Sequence, residues 1–157
     1  MTISETVKVW RVFEEFHGQG KVKHLGISNI YDLQSLMQLY EQARVKPSVV
    51  QNRFYASSGY DVDIRQFCLQ HGVTYQSFWT LTANPHLLRS APIQAYAGEH
   101  KVTHQQAFFR YTMDIGITPL TGTTDELHMK QDLQVAELPS LSPDYVKAIN
   151  KLLLQSH

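Results

Sequence analysis

Apolar and polar positions along this chain follow two different periods, and together they predict a repeated order of strands and helices. An opening helix is predicted over residues 5–17, where Val9, Phe13 and Phe16 share one face and Trp10 lies beside them. A capping box formed by Thr2 and Glu5 precedes it. The clearest helical pattern follows Asp32, with apolar residues at i, i+3, i+4 and i+7 over residues 33–43.

Four short segments predict strands, at residues 22–29, 48–54, 73–79 and 117–124, and the third of them is rich in β-branched and aromatic residues. A helix with Ile64, Phe67 and Cys68 on its apolar face is predicted between the second and third strands, with Asp61 as its N-cap.

After residue 84 a helical pattern is predicted to be broken by Pro92 and Gly98. Thr103 and Gln106 form a second capping box, and two more helices are predicted at 125–133 and from Pro143 onward.

This alternation predicts one α/β domain over residues 1–157, with four parallel strand-helix units preceded by one helix. Two architectures fit the pattern: a flavodoxin-like doubly wound sheet, or half of an eight-stranded barrel. A complete barrel needs about 250 residues, so the chain cannot supply one. The pattern alone does not choose between the two.

Composition and charge narrow the class of protein. The chain has 157 residues, 43% hydrophobic and 18% charged, which is typical of a globular protein. Its net charge of zero argues against binding to nucleic acid or to an anionic membrane. With the single cysteine Cys68, no apolar membrane span and no signal-peptide pattern, a soluble cytoplasmic protein is expected.

Candidate ligand-binding residues lie where the predicted strands end, which is where parallel α/β folds bind ligands. The amides and hydroxyls of Ser28, Asn29, Gln51 and Asn52 suit a carboxamide or a sugar, and an aromatic ring at 78 or 79 suits a flat ring. The Gly/Thr loop at 121–124 precedes a helix and suits a phosphate. Such residues are also common in turns, so a purely structural role stays open.

Two features that resemble reactive sites favour structural roles. His100 and His104 have no accompanying carboxylate ligand and no HExxH signature, so no metal site is predicted. Cys68 lies on an apolar helix face, which favours a buried structural cysteine over a nucleophile.

Four segments resemble, in order, the C-terminal half of an aldo-keto reductase. They are residues 20–29 with the Ser28–Asn29 pair, 47–51, 67–72 and 116–133, and the resemblance extends over nearly the whole chain. It implies half of a TIM (β/α)8 barrel and an NADP(H)-linked carbonyl oxidoreductase lineage.

The resemblance also implies roles for individual residues. Ser28, Asn29 and Gln51 match the positions that hold the nicotinamide carboxamide, and Phe78, or Trp79 if the register differs by one, matches the aromatic residue that stacks on the nicotinamide ring. The loop around the adenosine phosphate and the following helix are matched by Thr121, Gly122, Thr123, Thr124, His128, Gln131 and Asp132.

The chain departs from the family pattern in two ways. His128 stands where the family usually has arginine, and Gln131–Asp132 where it often has Glu-Asn, which leaves the choice between NADP and NAD open. The family's catalytic Asp, Tyr, Lys and His lie on its first four strands and have no counterpart here. The catalytic residues are therefore unknown, and neither Tyr55 nor Tyr75 matches the catalytic tyrosine.

Half a barrel exposes strand edges and an apolar face, so a homodimer that closes the barrel, or a complex with a partner chain, is expected. Three functions remain open. The chain keeps part of the cofactor site without being an independent reductase; or it is a non-redox dehydratase, isomerase or cyclase using a pocket of Tyr75, Phe78, Trp79 and His24; or it is a non-catalytic binding subunit or inactive fragment.

Overall fold

The computed structural model describes residues 2–155 and contains a sheet of four parallel strands alternating with helices. The strands are β1 (Gly26–Ser28), β2 (Val49–Arg53), β3 (Thr74–Phe78) and β4 (Ile117–Pro119). The α-helices are α1 (Ile3–Gly18), α2 (Leu33–Gln42), α3 (Val62–Gln70), α4 (Pro85–Leu88), α5 (Ala91–His100), α6 (His104–Asp114), α7 (Glu126–Gln134) and α8 (Pro143–Gln155). Two 3-10 segments lie at Ala56–Asp61 and Val135–Glu137.

The order of the strands decides between the two architectures. The four strands lie in the sheet in chain order, β1-β2-β3-β4. A doubly wound sheet reverses its strand order at a switch point, whereas a (β/α)8 barrel adds each strand beside the last. The sheet is therefore the half-barrel that the resemblance implied. β1 and β2 pair with Ser28 opposite Gln51.

Local capping signals place the helix starts, and the structure confirms both predicted capping boxes. Glu5 N donates to Thr2 Oγ1 at the start of α1, and the Glu5 carboxylate accepts from Thr2 N. The same reciprocal pair joins Thr103 and Gln106 at α6. Asp32 caps α2 by accepting from Ser35 N.

Other predictions were wrong in detail. β1 and β4 have three residues each, far fewer than their apolar runs suggested. Pro92 lies in the first turn of α5, where a missing N–H costs nothing, and Gly98 lies inside that helix. Asp61 precedes α3 in the left-handed conformation and makes no side-chain capping bond, because its carboxylate is used elsewhere.

The chain divides into two compact units, each with its own apolar core. The first comprises residues up to 52 together with 61–76, and its core includes Trp10, whose indole Nε1 donates to Val45 O at 3.0 Å. The second comprises residues 53–60 and those from 77 onward, and Phe54 and Phe108 pack there with ring centroids 6.5 Å apart. The expectation of a single domain over 1–157 stays a prediction.

Within residues 2–155 no helix combines the length and the apolar character needed to cross a membrane.

Candidate functional site

In the first unit, the carboxyl ends of β1 and β2 bring together Ser28, Asn29 and Gln51. The strand register sets Ser28 opposite Gln51, and Ser28 Oγ donates to Gln51 O at 2.7 Å. The backbone N–H of Asn29 donates to the same carbonyl at 3.1 Å. The three residues predicted to hold a carboxamide therefore form one polar group, here called the amide site.

The Asn29 side chain is oriented by its backbone and its neighbours. Asn29 has φ +58°, a left-handed conformation that asparagine tolerates better than most residues. Its Nδ2 donates to Ser28 Oγ at 3.3 Å, and its Oδ1 accepts from Tyr31 OH at 3.1 Å. Gln51 Nε2 donates to Gln76 Oε1 at 2.9 Å, which holds the second amide of the site. Because Ser28 and Asn29 are exposed, a ligand can exchange for these contacts.

Buried polar residues adjoin the amide site. Asn52 Nδ2 donates to Asp61 Oδ2 at 2.7 Å, and Tyr75 OH donates to the same oxygen at 2.8 Å. Asp61 Oδ1 is buried without a hydrogen-bond partner in residues 2–155. Burial, followed by the negative charge of Asp61, raises the pKa of Tyr75 well above its ordinary value. The sequence analysis did not predict this cluster of Asn52, Asp61 and Tyr75. It assigned Asp61 as an N-cap because aspartate is common at the start of a helix.

The second unit contains the predicted stacking residues, Phe78 and Trp79. Trp79 follows β3 with φ +56°, which is unfavourable for so large a side chain, and it is 56% exposed. The Arg53 guanidinium lies 3.9 Å from the centroid of the Trp79 ring and 6.0 Å from that of Phe78. Tyr55 adds a third ring at 5.2 Å, so the cation lies among three aromatic faces.

The turn after β3 is held by buried hydrogen bonds within the second unit. Asn84 Nδ2 donates to Phe54 O at 2.7 Å and to Thr80 O at 3.0 Å. Ser77 Oγ and Thr80 Oγ1 lie 2.8 Å apart across the turn. These contacts hold the backbone that follows Trp79, whose side chain is largely exposed.

The predicted phosphate loop lies between β4 and α7, also in the second unit. Thr121 Oγ1 donates to Asp132 Oδ2 at 2.6 Å, so the structure brings the loop and the helix residue together. Gly122, Thr124 and His128 are exposed, and the backbone carbonyl of Gln131 accepts from Gln106 Nε2 at 3.0 Å.

The N-terminus of α7 is capped by the residue that precedes the helix. Asp125 caps it by accepting from His128 N at 2.9 Å, and this backbone hydrogen bond lowers the pKa of the Asp125 carboxyl. Thr123 Oγ1 in turn accepts from Asp125 N at 3.1 Å. An anion bound at residues 121–124 would contact the hydroxyl and N–H groups of this loop. The negative charge of Asp125 would oppose its binding.

Two residues of the alternative non-redox pocket, Tyr75 and His24, lie in the first unit. Tyr75 is only 3% exposed and its hydroxyl is bonded to Asp61, while His24 is exposed ahead of β1. Cys68 is buried as predicted, and burial raises the pKa of its thiol to about 12, which removes its nucleophilic form at neutral pH. In residues 2–155 no group of three or more His, Cys, Asp or Glu side chains is placed to hold a metal ion.

A sequence profile described as the Aldo/keto reductase family matches residues 3–84 of this chain. The chain belongs to the aldo/keto reductase family. The matched region includes β1, β2 and β3 and therefore the amide site with Phe78 and Trp79.

Individual relatives match most of this chain, but only about half of their own length is covered by the match. The NAD(P)H-dependent D-xylose reductase of Kluyveromyces lactis is 28% identical over 91% of this chain and 47% of its own length. The glyoxal reductase of Bacillus subtilis is 24% identical over 90% of this chain and 51% of its own. The chain thus spans about half the length of these curated relatives.

Solved structures share the fold. An aldo/keto reductase from Brucella melitensis superimposes with a TM-score of 0.82 at 21% identity, covering 97% of this chain and 57% of that one. A mutant of Gox0644 solved in complex with NADPH gives a TM-score of 0.81 at 23% identity, covering 93% and 52%.

Proposed function

We propose that this chain provides the nicotinamide-cofactor half of an aldo/keto reductase-type carbonyl oxidoreductase, with NADP(H) as the cofactor, and that it does not reduce carbonyls alone. The observation that carries the proposal is the amide site. Ser28, Asn29 and Gln51 lie together at the ends of two paired strands, and they are the residues the family resemblance assigns to the carboxamide.

The chemistry of the amide site fits the group it would hold. A nicotinamide carboxamide has one acceptor oxygen and two N–H donors, and two side-chain amides with a hydroxyl complement both. Asn29 and Gln51 would bind it by exchanging their present hydrogen bonds to Ser28, Tyr31 and Gln76.

The resemblance also assigns residues of the second unit to the cofactor. Phe78 matches the residue that stacks on the nicotinamide ring, and Thr121, Gly122, Thr123 and Thr124 match the loop around the adenosine phosphate. His128 stands where the family usually has an arginine, and it would bind a 2′-phosphate more weakly because imidazole lacks the forked N–H donors of a guanidinium.

The bound cofactor would supply a hydride, and this chain's residues would bind and orient it. Carbonyl reduction also requires a proton donor. The buried hydroxyl of Tyr75, already bonded to Asp61, cannot approach a substrate. The proposal therefore assigns that step to a group other than Tyr75.

Titration with NADPH and NADH tests the proposal through tryptophan fluorescence. Trp79 is exposed beside Phe78, whereas Trp10 is 2% exposed in the core, so a Trp10→Phe variant isolates the signal at the site. Saturable quenching is expected, with a dissociation constant on the order of micromolar.

An Asn29→Ala variant, which removes one carboxamide contact at an exposed position, is expected to weaken binding by about tenfold. A Thr74→Ala variant serves as the control, because Thr74 is exposed at the start of β3 whereas the amide site lies at the carboxyl ends of the strands. The absence of saturable NADPH binding at millimolar concentration, in a folded protein, would remove the oxidoreductase proposal.

We also propose that a second copy of this chain covers the β1 side of the first unit. β1 is an edge strand, and a groove of about 640 Å³ lies beside it. Ser28 and Asn29 of the amide site line one part of this groove, and the proposed contact between copies is confined to its α1 side, at Val9 and Phe13. Exposed apolar side chains next to an unpaired strand edge favour association, and a two-fold dimer buries both copies of such a surface in one step.

A further inference from the structure

A buried side chain fixes the backbone just beyond the amide site. Asn52, adjacent to Gln51, pairs with the main chain of Ile30 from both sides. Ile30 N donates to Asn52 Oδ1 at 3.0 Å, and Asn52 Nδ2 donates to Ile30 O at 2.6 Å. Ile30 directly follows Asn29, so these two hydrogen bonds fix the backbone immediately after the exposed Asn29.

The orientation of Asn52 is set in turn by Asp61. The second Nδ2 hydrogen of Asn52 goes to Asp61 Oδ2 at 2.7 Å, and Tyr75 OH donates to the same oxygen at 2.8 Å. Asn52, Tyr75 and Asp61 are 0%, 3% and 4% exposed, so none of them exchanges these bonds for water. With both amide hydrogens used, the Asn52 side chain has one favourable orientation.

Backbone strain accompanies this arrangement. Gly59, Tyr60 and Asp61 have φ values of +60°, +54° and +51°, and only the first is a residue that adopts this region freely. Such conformations persist where the surroundings over-determine them, and they cluster at functional sites. Here the strained segment carries the Asp61 carboxylate to Asn52 instead of leaving it to cap α3.

We propose that Asn52, Asp61 and Tyr75 are positioning residues for the amide site. By fixing Ile30 they hold Asn29 in its left-handed conformation, with its side-chain amide beside Ser28, and they thereby set the affinity for the nicotinamide half of the cofactor. This inference rests on the proposed function, because it assigns these buried residues to the same site.

The test compares two ligands that differ only in the nicotinamide. NADPH contains it, and 2′-phospho-ADP-ribose is the same molecule without it. An Asn52→Val variant is expected to weaken NADPH binding by about tenfold and a Tyr75→Phe variant by about threefold, with 2′-phospho-ADP-ribose binding unchanged in both. In the Asn52→Val protein, the amide hydrogen of Ile30 is expected to exchange faster with solvent, because its acceptor is gone.

A Tyr111→Phe variant is the matched control. It removes another buried tyrosine hydroxyl, one that donates to Asn150 Oδ1 at 2.6 Å in the second unit. It is expected to leave the ratio of the two affinities unchanged. If the Asn52→Val protein does not fold, the milder Tyr75→Phe variant decides the question.

Three results would overturn the inference. Equal weakening of both ligands would make the network merely structural, and unchanged NADPH binding in the variants would show that the amide site does not depend on it. Both outcomes leave the proposed function standing. Failure of the wild-type protein to bind NADPH would instead remove the proposed function, and the inference with it.

Discussion

At the scale of single residues, positive φ values mark the ends of two strands. Asn29 follows β1 and Trp79 follows β3, and both are exposed left-handed residues that are not glycine. Local interactions hold each one: Asn29 N–H donates to Gln51 O, and Ala83 N donates to Trp79 O. Asn29 and Trp79 were both assigned to a ligand by the sequence analysis, whereas Tyr60, Asp61 and Lys101, the other non-glycine residues with positive φ in residues 2–155, were not.

Gly26 permits the close approach of β1 to β2. A Cβ at this position would lie 3.0 Å from both the Cβ and the carbonyl oxygen of Val49. We expect Gly26→Ala to force the strands apart and to lower the free energy of unfolding by about 1–3 kcal/mol. Urea denaturation measures this. A Gly98→Ala control, inside α5 with open space around the position, should stabilise by about 0.5–1 kcal/mol. Equal stability of the wild-type and Gly26→Ala proteins would contradict the packing argument.

Cys68 makes stability fall in alkaline solution. Burial raises the pKa of its thiol from 9.0 in the unfolded chain to about 12 in the folded one. Above pH 9 the unfolded chain loses the proton while the folded chain keeps it, so the free energy of unfolding decreases as pH rises from about 9 towards 12.

Urea midpoints at pH 8 and pH 10.5 measure this decrease. A Cys68→Ala variant removes the group and should show a shallower pH dependence, although Tyr75, whose pKa is also raised, contributes in the same direction. Identical slopes for the two proteins would show that Cys68 does not carry the effect.

At the scale of elements, the sequence predicted correctly those features that depend on residues close together in the chain. The capping boxes at Thr2 and Thr103 join residues three positions apart, and both were predicted correctly. The ends of β1 were not, because pairing with β2 decides where a strand stops. Asp61 was misread for the same reason: its partner Asn52 is nine residues away and on another element, so no local pattern contains it.

The capping box of α6 gives a prediction at this scale. Thr103 Oγ1 accepts from Gln106 N, and Gln106, itself buried, also donates to Gln131 O. A Thr103→Ala variant should therefore lose about 1 kcal/mol of stability or more, measured by urea denaturation. Thr103→Ser keeps the hydroxyl oxygen and should stay within a few tenths of a kcal/mol of the wild-type protein. A large loss in the serine variant would point to packing of the threonine methyl group rather than to capping.

At the scale of the whole molecule, the family match and the half-barrel strand order agree. The chain resembles about half of each curated relative, and the amide site lies in that half. The resemblance supplied the roles of Ser28, Asn29 and Gln51, which pattern alone did not distinguish from ordinary turn residues. The apolar groove beside β1 was identified neither from the sequence pattern nor from the resemblance. Its position depends on how α1 packs beside β1, which the sequence does not show.

Two neighbouring valines of α1 test whether that groove is a dimer interface. Val9 and Val12 are 45% and 47% exposed, but only Val9 lines the groove beside β1. The wild-type protein at micromolar concentration is expected to elute with twice the chain mass in size-exclusion chromatography with light scattering. Val9→Glu introduces a charge that the dimer would have to bury without a partner, so this variant should be monomeric. Val12→Glu carries the same charge on the same helix and should remain dimeric. A wild-type monomer, or equal behaviour of the two variants, would rule out this surface as the contact between copies.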